Sequence, residues 1–325
     1  MANKTRSQER GRRAGRPGEI PRKGWKDILL RVKEEQKKDN LSIVAAGVAF
    51  YALLALFPAL ATLISIYGIF ADPAQVQQQS AELSGFLPQE TRQLLSEQIS
   101  RIASTSSGAL GIGAIGGLLV SLWSANKGMK ALMTALDIVY NEDETRGFFK
   151  INGISLLLTF VGILTAVISL ALIAVIPVIL EFIGIPGPIQ AAVAIGRWPF
   201  LALVIVLLLG VLYRYAPNRD EPQWKWVSWG SVAATVLWIA VSLLFSFYVS
   251  NFGSYNKTYG SMGAIIILLM WFFLTAYAVL IGAELNAEME HQTGKDTTRG
   301  EARPMGDRDA HVTDTLGRKA EKKRR

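Results

Sequence analysis

The sequence predicts an all-α integral membrane protein of six transmembrane helices, and three observations carry that expectation. The first is where charge is missing: no Asp, Glu, Lys or Arg occurs in the runs 40–71, 102–126, 151–180, 198–213, 226–256 and 258–283. The second is length. About 20 apolar residues of helix, rising about 1.5 Å each, cover a hydrocarbon core of roughly 30 Å, and five of the six runs exceed that. The fourth reaches it if its helix begins near Ala191 and carries Arg197. The third is continuity. The runs are apolar at successive rather than alternate positions, which excludes barrel strands. Backbone N–H and C=O groups in lipid must be satisfied within the segment, so each run is helical.

The spans are expected at about 41–70, 108–126, 151–180, 191–213, 226–250 and 261–286. Span one contains Pro58, a kink site. In the loop that follows, Leu94, Leu95, Ile99 and Ile102 recur at helical spacing after Pro88, predicting an outer helical hairpin between spans one and two. Beyond span two, Met129, Leu132, Met133, Leu136 and Val139 mark an amphipathic continuation, and Glu142-Asp143-Glu144 turns the chain toward span three. Ile185-Pro186-Gly187-Pro188 is a tight turn into span four, and Trp224, Trp226 and Trp229 bracket the start of span five as an interfacial belt. Residues 1–24 read as a disordered basic arm, 25–292 as the membrane domain and 293–325 as a disordered basic tail. Between arm and span one, Trp25, Ile28, Leu29 and Val32 share one helical face, the pattern of a helix lying on the membrane surface. The chain shows no internal repeat, so an inverted-repeat transporter is not supported.

Charge gives the orientation. Of 34 Lys and Arg, 30 fall in the two tails and the even-numbered loops, and only Arg92, Arg101, Arg197 and Lys257 lie on the other side. The positive-inside rule then puts both termini in the cytoplasm. Residues 41–286 carry 11 basic and 12 acidic side chains, so the net charge of +8 belongs to the tails. Beside a bilayer such tails meet anionic lipid. They lack interleaved aromatics apart from Trp25, so nucleic acid is not expected as a partner. The first apolar run begins after 40 residues and is too long for a signal-peptide core. The absence of cysteine excludes disulfides, zinc–thiolate sites and thiol catalysis.

Gly111-Ile112-Gly113-Ala114-Ile115-Gly116 matches the dinucleotide-binding pattern, but that fingerprint requires a βαβ unit, and this copy sits inside a membrane run. Gly113 with Gly117, and Ala45 with Ala49, read instead as small-residue faces for helix packing. Between spans five and six, Asn251, Ser254, Tyr255, Asn256 and Tyr259 surround Lys257 with hydrogen-bonding groups. They are candidates to grip an anionic substrate, the alternative being a tight interfacial turn. A second polar cluster, Asn40, Asn126, Lys127, Arg214, Glu284 and Asn286, falls at the cytoplasmic ends of the spans. A charge at membrane depth costs about 2.5–3.5 kcal/mol on insertion scales and tends to be paired or functional, unless it snorkels to the interface. Glu284 ends a run of 26 uncharged residues, with Arg214 the expected partner and Lys127 the alternative. No catalytic residue, metal site or cofactor is expected. His291 and His311 both lie in the tail without a ligand-spaced partner, and there is no phosphate-binding G-x-x-x-x-G-K-[ST] loop.

Four segments carry a family resemblance: Ala46 to Pro58 (AGVAFYALLALFP), Leu122 to Leu132 (LWSANKGMKAL), Leu212 to Arg219 (LYRYAPNR) and Val249 to Gly260 (VSNFGSYNKTYG). With Gly282 to Glu288 (GAELNAE), they resemble the YihY/BrkB-like family over about Trp25 to Gln292. The resemblance implies a multi-pass protein of the bacterial inner membrane, linked to envelope integrity and to export of a lipid or lipopolysaccharide precursor. Members have carried the label ribonuclease BN, which no residue pattern here supports. The expected function is an exporter or flippase-like transporter of an amphiphilic anionic envelope component. The alternatives are a non-transporting envelope-assembly scaffold that recruits a protein partner and, last, a membrane-bound ribonuclease.

Overall fold

The computed structural model describes residues 10–70, 107–184, 187–252 and 261–317, which form helices, turns and loops with no strand among them. After a single 3-10 turn at Pro17–Glu19, the helices are α1 (Arg22–Lys38), α2 (Leu41–Phe70) and α3 (Ser107–Tyr140). Helix α4 (Phe148–Leu170) passes through a π-helical turn at Ala171–Val175 into α5 (Ile176–Phe182). Helices α6 (Gly187–Tyr215), α7 (Trp224–Phe252), α8 (Ser261–Gln292) and the short α9 (His311–Asp314) complete the order.

By length and composition four helices can cross a membrane: Phe148–Ile173, Gly187–Tyr215, Trp224–Ser250 and Gly263–Gln292. Arg22–Lys38 and Leu41–Leu56, bent by 64° at their junction, make a fifth if counted as one broken span. Only 11–17% of each of the four apolar stretches is buried against protein. Ile163, Leu164 and Val167 of α4, Leu203 and Leu207 of α6, and Leu243, Leu244 and Phe247 of α7 all stand exposed. Faces that apolar demand a lipid solvent rather than water. The expected outer hairpin lies outside the described residues.

Local chemistry sets the breaks. Asn40 adopts φ 51°, a left-handed conformation that asparagine tolerates, and so ends α1 and starts α2. Its carbonyl accepts the first N–H groups of the new helix, from Ile43 at 2.8 Å and Val44 at 3.1 Å. Asn141 (φ 54°) ends α3 in the same way.

The chain falls into two compact units, one of residues 1–50 with 129–325 and one of residues 51–128. In the smaller unit α2 and α3 meet closely enough that a Cβ on Gly128 would lie 3.8 Å from the Tyr51 backbone. In the larger unit α7 and α8 form the tightest helix pair. A Cβ at Gly282 would come within 2.7 Å of both the Gly230 carbonyl and the Tyr213 hydroxyl, so only glycine permits this crossing. An apolar core runs through Leu41, Ala45, Met133, Leu136, Tyr140, Tyr213, Val227 and Leu280.

At one end of the larger unit residues 10–21 and 293–317 form a cap, in place of the disordered arm (1–24) and tail (293–325) expected from the sequence; residues 1–9 and 318–325 of that expectation lie outside the described residues. Residues 10–21 and 293–317 pack on the last turns of α8 because arginines supply its missing hydrogen bonds. Arg12 donates to the free carbonyls of His291 (3.0 Å) and Gln292 (3.4 Å), and Thr293 Oγ1 donates to the Ala14 carbonyl (2.7 Å). Buried Arg308 ties the tail to itself through the carbonyls of Thr313 (2.7 Å) and Gly294 (3.0 Å). Composition alone reads these segments as solvated charge; their order comes from tertiary partners. Helix α1 also departs from a purely membrane-facing reading. Ile28 is buried and packs with Trp25 and Val32 against Trp226, Leu285 and Met289, leaving Leu29 and Leu30 outside.

Candidate functional site

Ile154, Leu157, Leu158 and Val161 recur on one face of α4 at the spacing of a helical stripe. Opposite them, Val211, Arg214 and Tyr215 end α6, and residues 217–221 turn toward α7. Together with Arg146 and Lys150 they enclose a cleft of about 460 Å³. Its walls are apolar, and at its polar end Arg146 is paired with Glu144 (Nε to Oε1 2.8 Å), Arg214 with Glu221, and Lys150 stands exposed.

The segment Leu212 to Arg219 builds that mouth residue by residue. Tyr213 anchors the end of α6 by donating its hydroxyl to the Val279 carbonyl at 2.7 Å. The Arg214 guanidinium, its side chain 5% exposed, donates Nη2–H to Glu221 at 2.8 Å. It lies 4.8 Å from the ring centre of Trp224 and 5.3 Å from that of Tyr215, a cation–π enclosure that fixes its plane. The Ala216 carbonyl accepts from Arg146 at 3.0 Å. Asn218 stitches two loops, its N–H donating to Asp137 at 2.7 Å and its side chain to the Asp143 carbonyl at 2.6 Å. Arg219 pairs with Glu290 at 2.8 Å, both side chains 0% exposed, and stacks 4.0 Å over Tyr140.

Two carboxyls outside the spans, Asp137 beneath the Asn218 N–H and Glu142 beneath the His311 N–H, are shifted. Burial pushes Asp137 up to about 6, against the opposing pull of the Asn218 N–H and Arg146. Burial likewise pushes Glu142 up to about 7, against the His311 N–H and Arg219.

The segment Gly282 to Glu288 faces the neighbouring helices. Asn286 accepts from the Gly230 N–H at 2.8 Å and donates to the Val227 carbonyl at 3.2 Å, clamping α8 to the first turns of α7. Glu288 forms a buried ion pair with Arg31, whose Nη2 also reaches Gln292 at 2.8 Å. Glu284 is 1% exposed, and its Oε2 has no hydrogen-bond partner among the described residues.

These placements revise the polar cluster read from sequence. Arg214 pairs with Glu221, not with Glu284, because Glu221 sits in the loop that α6 itself enters. Lys127 lies over the Trp123 ring at 3.7 Å. Asn40 is a helix junction, Asn286 a clamp, and Asn126 is buried with Oδ1 unpartnered among the described residues. Ala45 and Ala49 are buried on α2; Gly113 and Gly117 are helical positions of α3. Asn251 falls in the last turn of α7, while Ser254, Tyr255, Asn256, Lys257 and Tyr259 lie outside the described residues. Sequence reasoning missed Arg146, Lys150, Arg219 and Glu221 as a group. Their signal was a concentration of charge immediately beside two span ends.

A multi-pass helical protein with charged, buried caps on its helix ends is the class that this geometry defines. A family model described as Virulence factor BrkB matches residues 32–306, and the chain belongs to that family. It is 32% identical over 251 residues, 75% of this chain and 88% of the relative, to the "Putative ribonuclease-like protein YfkH" of Bacillus subtilis strain 168. A "UPF0761 membrane protein" of Cronobacter sakazakii is 25% identical over 287 residues, covering 87% of this chain and 94% of that one. Another, from Rhodospirillum centenum, is 27% identical over 268 residues, and the matched region covers only 57% of its length. No solved structure matches.

Proposed function

We propose that this protein is an exporter or flippase-like transporter of an amphiphilic anion that belongs to the cell envelope. The observation that carries the reading is the cleft between α4 and α6, which joins an apolar helical stripe to a mouth of Arg146, Lys150 and Arg214. A molecule with an acyl chain and an anionic headgroup satisfies both halves. Arg146 and Arg214 are held at the mouth by Glu144 and Glu221, and Lys150 is exposed beside them, so an anionic headgroup would meet Lys150 directly and the arginines in competition with their carboxylates. The proposal includes six spans, with an outer hairpin after the first, in the bacterial inner membrane. The capped end, richest in basic residues, faces the cytoplasm. Reporter fusions after Asn218 and at the C-terminus should then read cytoplasmic, and one after Ile185 extracytoplasmic; an extracytoplasmic C-terminus overturns this orientation.

The name of the Bacillus relative motivates a nuclease reading, but we propose no catalytic role for this chain. The test is purified protein in liposomes carrying a fluorescent anionic lipid, with bleaching of the outer leaflet as the readout. Accelerated exchange of the anionic lipid, lost in Arg214→Gln, supports transport. Binding without movement supports the scaffold, and metal-dependent RNA cleavage by the same preparation supports the nuclease.

A further inference from the structure

The mouth of the cleft already holds an anion, and it belongs to the protein. Glu221 sits 2.8 Å from Arg214 Nη2, yet only Nη2 is engaged: the buried Nε has no partner among the described residues. A guanidinium offers Nε–H and Nη–H as a parallel fork that suits two oxygens of one carboxylate or phosphate. Here half of the fork is unused, in a place where an unpaired donor is costly. The two partners also differ in depth. The Arg214 side chain is 5% exposed and held between Trp224 and Tyr215, whereas Glu221 is 39% exposed. The cation is fixed and its counter-ion is replaceable.

What holds Glu221 there is the C-terminal tail. Arg299 N–H donates to the Glu221 carbonyl at 2.9 Å, and Gln223 N–H to that of Thr297 at 2.9 Å. Pro222 and Thr298 form an isolated antiparallel bridge. Arg299 Nη1 lies 3.7 Å from the Glu221 carboxylate, so a displaced Glu221 has a second cation beside it at the surface.

We propose that Glu221 is a placeholder for the phosphate of a lipid headgroup, which binds by displacing it from Arg214 and takes the Nε–Nη2 fork while its chain lies along Leu157, Leu158 and Val161. This rests on the reading of the cleft as the site of an amphiphilic anion and adds the headgroup chemistry and the competing residue. Lys150, exposed at the same mouth, supplies a further charge to the phosphate.

The experiment is native mass spectrometry of the full chain released from phosphatidylcholine nanodiscs containing a minority of phosphatidic acid. Wild type should retain phosphatidic acid in preference to phosphatidylcholine. Glu221→Gln should tighten that retention by up to about tenfold, the equivalent of roughly 1.4 kcal/mol, and Arg214→Gln should abolish it. Lys150→Gln, an exposed and structurally mild change, should weaken it and gives an answer even if Arg214→Gln does not accumulate. Equal retention of the two lipids by wild type overturns the amphiphilic-anion reading and this inference with it. Preference in wild type with no gain, or a loss, in Glu221→Gln overturns the placeholder alone. Inorganic phosphate in a parallel titration should compete weakly; displacement of the lipid at matched concentration would assign the site to a free anion and overturn the lipid headgroup.

Discussion

Arg219 and Glu290 form an ion pair in which neither side chain is exposed, with the Tyr140 ring over the guanidinium and Thr297 Oγ1 donating to the carboxylate at 2.6 Å. Removing one partner of such a pair strands a charge without its counter-ion, which costs about 3–5 kcal/mol. Arg219→Gln or Glu290→Gln should each lower the melting temperature of the detergent-solubilised protein sharply, and the double variant should cost less than the two singles added. Strict additivity would mean that the pair does not act as a unit. The carboxyls of Asp137 and Glu142 behave differently. Their folded values, about 6 and about 7, lie above the ordinary 3.8 and 4.5, so folding favours their neutral forms. Their contribution is therefore fully present below the ordinary values and is lost as pH rises through the folded ones. Between about pH 5 and pH 8 the wild-type melting temperature should fall more steeply than that of an Asp137→Asn, Glu142→Gln double variant. Parallel profiles would contradict this.

Helices α7 and α8 depend on two glycines. At Gly282 a methyl group would meet Ala234 Cβ at 2.5 Å and the Tyr213 hydroxyl at 2.7 Å, and neither a helix backbone nor an anchored tyrosine can give way cheaply. Gly282→Ala should destabilise the protein by about 1–3 kcal/mol, the usual cost of overpacking, while Gly116→Ala, with open space around it, should be silent. An equal effect at both sites would remove close packing as the explanation. The helices themselves were legible in the sequence, because a missing charge is a local signal. Helices Leu41–Phe70 and Trp224–Phe252 fall on the charge-free runs 40–71 and 226–256. The Gly282–Gly230 approach was not legible, since glycine spacing on α8 does not reveal which helix crosses it. The pairing of Arg214 was misread for a related reason. Depth in the membrane suggested Glu284, but a loop residue seven positions along the chain reaches the guanidinium first.

For the whole molecule, one composition describes two environments. The apolar stretches keep most of their surface for lipid, while the basic segments 10–21 and 293–317 are folded onto the end of α8. That fold of the termini was hidden because residues such as Arg12 and Arg308 look the same whether they face water or helix-end carbonyls. The cap and the cleft share the loop between α6 and α7: Arg219 enters the cap, Arg214 faces the cleft, and Glu221 touches both the cleft and the tail. The central claim is that the cleft between α4 and α6 is where an amphiphilic anion binds. Photo-crosslinking tests it most directly: an anionic phospholipid carrying a photoreactive group in its acyl chain is incorporated with the full-length protein, irradiated and mapped by peptide mass spectrometry. Adducts concentrated on residues 154–161 and 211–215, and reduced in Arg214→Gln, are the predicted result. Adducts spread evenly over the exposed faces of α4, α6 and α7, and unchanged in that variant, would show that the anion meets this protein only as bulk lipid.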